Sequence, residues 1–312
     1  VDFPSPIPEP AKTKKKVLVI GGGPSGMEAA RVAALKGHDV TIVEKNAMLG
    51  GAMLMASVPN EKIWPQLKFK LREIKRLPIK LMLKTEATPE LVDKIKPDAV
   101  VVAVGGKTRL PDAPGTDKPS VRGRSVMEGM FGGNKSSGTR GKKKDFLVKL
   151  ALPFLSMVNK VYYNPDLVRK LLKYDFVFFR KQNAILGGGF AGLEMGELLS
   201  NSGKKVTALI EEGKYIGADI GPIHRWVFKK DLREHNVPML TEAKVLEIKD
   251  NAVDVQVKAD RQSFGADTVV PTEINRNTEL YDKIKDKVKE IYFTGDADKA
   301  GKLMEAYASG FL

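Results

Sequence analysis

One pattern, present twice, limits what this chain can fold into more than any other feature. Val17-Leu18-Val19-Ile20 is a short apolar run suited to a strand buried on both faces of a parallel sheet. It leads directly into Gly21-Gly22-Gly23-Pro24-Ser25-Gly26. A helix-like stretch follows through Ala30 and Leu35, then Gly37, then a strand Val40-Thr41-Ile42-Val43 ending at Glu44. The same order returns as Ala184-Ile185-Leu186, then Gly187-Gly188-Gly189-Phe190-Ala191-Gly192, a helical stretch with Gly196, Gly203, and a strand Val206 to Ile210 ending at Glu211. In both copies Gly-x-Gly-x-x-Gly is followed by a small residue (Ala30, Gly196) and then by a glycine (Gly37, Gly203) at identical spacing.

Each glycine has a mechanical reason. The first permits a tight strand-to-helix turn, the second lets backbone approach a pyrophosphate, and the third lets helix and strand pack closely. The helix N-terminus then presents free N–H groups to the phosphates. An acid ending the next strand accepts hydrogen bonds from ribose hydroxyls, and Glu44 and Glu211 stand 23 and 24 residues after Gly21 and Gly187. The chain therefore reads as α/β, with two Rossmann-like dinucleotide-binding units. In the second, a 2′-phosphate would be repelled by Glu211 and would want an arginine. Glu211-Glu212 favours NADH over NADPH, while Lys204, Lys205 and Lys214 keep NADPH open; Glu212 could equally be a solvated charge.

Further strands are expected at Ala99 to Val104, Val245 to Ile248 paired with Ala252 to Val257, Asp267 to Val270, and Ile291 to Phe293. Helices are expected at Glu61 to Arg76, Pro89 to Lys96 and Arg225 to His235. The resulting division is a linker at 1–15, a discontinuous first unit at 16–117 and 262–312, a basic insert at 118–180, and a second unit at 181–261 inserted into the first. The Pro-rich start reads as a linker leaving something upstream rather than a secretory signal.

The formal charge of +14 is concentrated, because 15 basic and 4 acidic residues fall between Lys118 and Lys181. There, Gly129 to Arg140 reads as an exposed loop, and Phe146 to Tyr163 and Leu167 to Phe179 as amphipathic helices broken near Pro153 and Pro165. Such an insert fits a solvated face over packed helices, an anionic membrane surface, or an acidic partner. Interleaved base-stacking aromatics and a known reading motif are both missing, which argues against nucleic acid. The chain has no cysteine, so a redox dithiol, a thiolate nucleophile and a cysteine-bound iron–sulfur cluster are excluded within it. His38, His224 and His235 lack metal-ligand spacing, and no metal site is expected. The composition is compatible with the cytoplasm.

Several segments together give a more specific likeness. They are Val19 to Ala30, Glu44 to Gly51, Ala103-Val104-Gly105-Gly106, Gly187 to Glu194, and Ile291-Tyr292-Phe293-Thr294-Gly295-Asp296-Ala297. In these the chain resembles the C-terminal half of the NADH:flavin oxidoreductases related to old yellow enzyme, the 2,4-dienoyl-CoA reductase and 2-enoate reductase group. The resemblance implies FAD on Gly21, Gly23, Pro24, Ser25 and Gly26, with Glu44 and Lys45 on the adenosine side and Ala87 near the adenine. It implies Gly51 and Ala52 along the flavin, with Ala103, Gly105, Gly295 and Asp296 closing the site and Asp296 on the ribityl chain. NADH is implied on Gly187, Gly189, Phe190, Ala191 and Gly192, with Glu211 on the ribose and Glu194 near the nicotinamide.

No catalytic acid or base is required, because the cofactors carry the chemistry. The implied partner is an FMN-containing barrel, covalently upstream or a separate subunit, that receives the electrons. Family members usually carry a second Ala-x-Gly turn after the Asp-Thr-Val-Val strand. Here the chain reads Pro271-Thr272-Glu273-Ile274-Asn275-Arg276-Asn277, without glycine. Two alternatives stay open: a non-redox module holding only ADP, and a stand-alone NADH dehydrogenase with a small acceptor such as a quinone.

Overall fold

The computed structural model describes residues 8–122, 165–174 and 179–311. The first fingerprint opens a parallel sheet built from β1 (Lys16–Ile20), β2 (Asp39–Val43), β3 (Ile79–Met82) and β4 (Ala99–Val102). Strand β14 (Glu290–Phe293), from near the chain's end, completes it in the order β14-β4-β1-β2-β3. Val17, Leu18, Val19 and Ile20 are all buried, so the central strand β1 is covered on both faces. Helices α1 (Pro24–Leu35), α2 (Ala52–Ala56) and α3 (Ile63–Arg76) lie along it, with α4 (Pro89–Ile95) leading into β4.

The chain then crosses to a second sheet through β5 (Lys107–Thr108) and returns through β13 (Ile274–Asn275); the two crossings pair antiparallel. Between them lie helix α5 (Pro165–Leu171), β6 (Gln182–Leu186), α6 (Phe190–Asn201), β7 (Lys205–Ile210), α7 (Pro222–Glu234) and β8 (Met239–Leu240). Strand β12 (Thr268–Pro271) completes the second sheet, in the order β12-β6-β7-β8. An antiparallel meander of β9 (Ala243–Ile248), β10 (Ala252–Val257) and β11 (Asp260–Gly265) covers one face. Its Val245, Ile248, Val253 and Val255 pack on Ala184, Leu186, Ala208 and Ile210 of that sheet. Helix α8 (Glu279–Ile284) precedes β14, and α9 (Leu303–Phe311) returns to pack on α1.

The inserted arrangement matches the sequence reading, but its boundaries need correction. A border at 261/262 cuts through β11, and Thr268–Pro271 pairs with β6 rather than with the first sheet. The second unit therefore reaches Pro271. At the other border the Ile248 N–H donates to the Pro114 carbonyl at 2.9 Å, so the chain touches the meander of the second unit before residue 117, and Val121 then bridges Val269. Apolar runs alone do not reveal which of two parallel sheets a strand joins.

The matched glycines after the helices explain themselves. Gly37 (φ +90°) and Gly203 (φ +77°) end α1 and α6 in the left-handed region. In each case the following N–H reaches back, His38 to the Ala33 carbonyl and Lys204 to the Leu199 carbonyl. Of the basic insert, α5 is described: Val168 and Leu172 bury beside Leu193 and Leu199, while Arg169 donates to the Ser57 and Val58 carbonyls at 2.8 and 2.9 Å. The expected loop at 129–140 and helix at 146–163 lie outside the described residues.

Candidate functional site

The carboxyl ends of β1, β2, β4 and β14 meet at one edge of the first sheet, the place where open α/β sheets hold their ligands. Gly21 turns there with φ +105°, and a Cβ on it would lie 2.2 Å from the Ala103 carbonyl oxygen. A Cβ on Gly26 would lie 2.0 Å from the Gly21 carbonyl oxygen, so the third glycine is fixed by backbone contact. Gly23 caps α1 with Pro24 at its first position, and nothing lies within 4 Å of where its Cβ would be. This is the open side of the cradle.

The remaining first-site residues gather around that turn. The Gly50 N–H donates to the Gly22 carbonyl at 2.7 Å, which brings Gly51 against the Cα of Gly23 and starts α2 at Ala52. Glu44 is buried, and its carboxylate accepts from the Gly22 N–H (2.7 Å) and the Asn46 N–H (2.8 Å). Each oxygen keeps a further lone pair. Lys45 next to it is exposed. The Thr85 N–H bonds the Glu44 carbonyl, which carries Ala87 to the same edge. Gly105 turns with φ +73°, and a Cβ on Gly106 would meet the Asp296 carbonyl at 3.3 Å. A Cβ on Gly295 (φ +66°) would strike the Ser25 hydroxyl at 2.4 Å, and Asp296 accepts from the Gly301 N–H at 3.1 Å. The first-site positions from Gly21 to Asp296 thus follow the carboxyl ends of the strands of one sheet, although 275 residues separate the first from the last.

The second cradle repeats this geometry with different surroundings. Gly187 turns with φ +101°, and a Cβ on Gly192 would lie 1.9 Å from its carbonyl. Glu211 accepts from the Gly188 and Gly213 N–H groups, both at 2.6 Å, as Glu44 does from Gly22 and Asn46. The position corresponding to Ala103 is Thr272, whose hydroxyl donates to the Leu186 and Gly187 carbonyls at 3.0 and 3.2 Å. The glycine-free run after β12 therefore packs directly on the turn, with Thr272 Oγ1 and Glu273 Cγ each 2.7 Å from a Gly187 Cβ position.

Glu212 is half exposed and ion-pairs with Arg109 at 2.7 Å, and Arg109 also holds Glu273 at 2.6 Å. Lys214 and Lys244 line the groove beside Glu212, whereas Lys204 is buried and Lys205 opens β7 at the opposite end from Glu211.

Three contacts escaped sequence reasoning. The Phe190 N–H, at the N-terminus of α6, donates to both Asp219 carboxylate oxygens at 3.0 and 3.1 Å. Arg109 links the two units. Asn60, after α2, lies 3.5 Å from Glu194 across the seam between them. Burial raises the Glu194 carboxyl to about 7, against the hydrogen bond from Asn60 and with help from Glu197. Nothing in local spacing marks these residues, because their partners are brought together by the crossing strands.

A family model described as pyridine nucleotide-disulphide oxidoreductase matches residues 15–309. The chain is 30% identical over 308 residues to bilirubin reductase of Mediterraneibacter gnavus, covering 97% of this chain and 41% of that protein. It is 31% identical over 306 residues to metal reductase of Desulforamulus reducens, covering 95% and 43%. Among solved structures, a 2-naphthoyl-CoA reductase in complex with 2-naphthoyl-CoA superimposes with TM-score 0.76 at 28% identity, covering 97% of this chain and 40% of that one. The chain thus spans about two fifths of the length of these relatives.

Proposed function

We propose that this chain, which belongs to the pyridine nucleotide-disulphide oxidoreductase family, holds FAD in the first cradle and NADH in the second, as the electron-input part of a larger flavoenzyme. The observation that carries this reading is the open side of Gly23, framed by Glu44, Gly51, Gly105 and Asp296 at four converging strand ends. That cradle fits a pyrophosphate: backbone N–H groups of a free helix end face a space where a Cβ would meet nothing. Bound there, FAD supplies two-electron redox chemistry, with NADH as hydride donor.

The chain's own residues bind and orient. Gly23, Pro24 and Ser25 present the end of α1, Glu44 offers its remaining lone pairs to ribose hydroxyls, and Gly51 keeps the wall beside Gly23 thin. Glu194 and Asn60 stand at the seam, where a nicotinamide from one unit would face a flavin from the other. Having no cysteine, the chain brings no dithiol to relay electrons, so they pass to a centre outside it. The 28% identity to the 2-naphthoyl-CoA reductase, with three fifths of that chain unmatched, supports placement in the enoate and dienoyl-CoA reductase group. An FMN-containing barrel is then the acceptor. Glu211 supports NADH over NADPH, since its carboxylate would repel a 2′-phosphate, whereas Glu212 is already paired with Arg109.

The test is spectroscopic. The purified protein is expected to be yellow and to bleach on anaerobic addition of NADH. A colourless protein that releases ADP on denaturation would replace the redox reading with an adenine-nucleotide module. Bleaching by NADPH alone would overturn the role given to Glu211.

A further inference from the structure

We propose that Asp219 is a built-in occupant of the second pyrophosphate cradle, which the nicotinamide nucleotide must displace in order to bind. The inference rests on reading that cradle as the nucleotide site. Helix α6 has twelve residues, no acid in its first turn and no side-chain cap from Gly189. Its free N–H groups and the positive end of its dipole are where a dinucleotide's phosphates sit. The Asp219 carboxylate is already there. Both its oxygens accept from the Phe190 N–H, and both lie 3.4 Å from the Gly189 Cβ position. The equivalent space at Gly23 is open.

The segment that delivers Asp219 is held down at several points. The Gly217 N–H donates to the Gly188 carbonyl at 2.7 Å, and Ile216 and Ile220 are buried in the second core. Lys302, at the foot of α9 in the first unit, donates to the Asp219 carbonyl at 2.7 Å. The backbone is therefore fixed while the side chain is exposed, so the carboxylate can rotate into water without uncovering a core. A carboxylate and a pyrophosphate cannot share one set of N–H donors, because both need the same donor direction and repel each other. Asp219 therefore satisfies the Phe190 N–H, one of the donors at this helix end, in the free protein and sets a threshold for nucleotide entry.

The experiment compares the protein with its Asp219→Ala and Asp219→Asn variants, using calorimetric titration with NAD⁺, ADP-ribose and adenosine. If the carboxylate competes, Asp219→Ala binds NAD⁺ and ADP-ribose about fivefold more tightly. Asp219→Asn, uncharged but still able to cap, falls between, and adenosine, which has no phosphate, binds all three alike. The melting temperature of the ligand-free Ala variant falls at the same time, because α6 loses its cap. A lower melting temperature with unchanged or weaker NAD⁺ binding would show Asp219 to be a structural cap only, and would overturn the proposal. If no variant binds NAD⁺ or NADP⁺ while flavin content stays normal, the reading of the second cradle itself fails, and the inference goes with it.

Discussion

The two cradles share a backbone and differ in what surrounds it. Gly21, Gly23 and Gly26 superpose in role on Gly187, Gly189 and Gly192, and Glu44 and Glu211 each accept two backbone N–H bonds in the same fashion. Yet the first cradle is open at Gly23, while the second faces Asp219 and is backed by Thr272 and Glu273. The contrast extends two residues past each third glycine. Burial pushes up both Glu28 and Glu194, but Glu28 receives hydrogen bonds from Arg31 (2.6 Å) and Lys70 (3.0 Å) that bring it below the usual carboxylate range. Among the described residues no cation pairs with Glu194, which stays raised to about 7. A repeated sequence pattern thus specifies the turn, and distant side chains specify its electrostatics.

The largest effect is expected where the two cradles are alike. Gly26→Ala and Gly192→Ala would each drive a methyl into a carbonyl oxygen, at 2.0 and 1.9 Å respectively. Backbone atoms cannot give way as side chains do, so each variant should lose about 3 kcal/mol or more of stability. Chemical denaturation would measure it. If one variant were tolerated and the other not, the shared backbone role would be wrong.

That part of the molecule was legible because steric necessity leaves a local trace. Glycines at fixed spacing, apolar strand runs and a terminal acid predict the turns, both sheets and the insertion of one unit into the other. Strands as short as Met239–Leu240 or Lys107–Thr108 were not legible, since two residues carry no periodicity. Nor was the membership of Thr268–Pro271, because a buried strand reads the same in either sheet. Among the site residues, Gly51 and Asp296 came from the family likeness rather than from spacing. Asp219, Arg109 and Asn60 had no signal at all: each works through a partner at least 29 residues away, or across the seam. Glu273 was noticed only as a missing glycine, and its contact with Gly187 shows what fills that place.

An intermediate effect separates the two glutamates, and its sign is opposite at equivalent positions. A carboxyl raised to about 7 in the folded state, against about 4.3 unfolded, holds its proton more tightly when folded. The cost of ionising it is absent at pH 4 and complete above pH 7, so stability falls as pH rises between those values. Glu194→Gln should remove that slope and stabilise the protein at pH 8 by about 1–3 kcal/mol. Glu28 is the reverse: its lowered value adds stability above the ordinary carboxylate range that is lost as pH falls. Glu28→Gln should therefore destabilise by about 2 kcal/mol at pH 8 and by less in acid. Urea midpoints for both variants across pH 4–8 would check this, and equal signs would remove the proposed asymmetry.

The smallest effect on the fold is the most telling about the ligand. Gly23 has φ −74° and ψ −175°, backbone that alanine adopts freely, and a Cβ there meets no atom within 4 Å. Gly23→Ala should change the stability of the flavin-free protein by no more than about 0.5 kcal/mol, the spread typical of innocuous surface changes. The new methyl nevertheless stands where a pyrophosphate must approach, so flavin should be retained about tenfold less well. Gly189→Ala is the control in the second cradle. Its Cβ would make ordinary contact with Asp219 at 3.4 Å, so flavin content should be unchanged while NAD⁺ binding weakens. Normal flavin retention in Gly23→Ala would mean that the pyrophosphate does not lie over that glycine, and the open side of the first cradle would need another occupant.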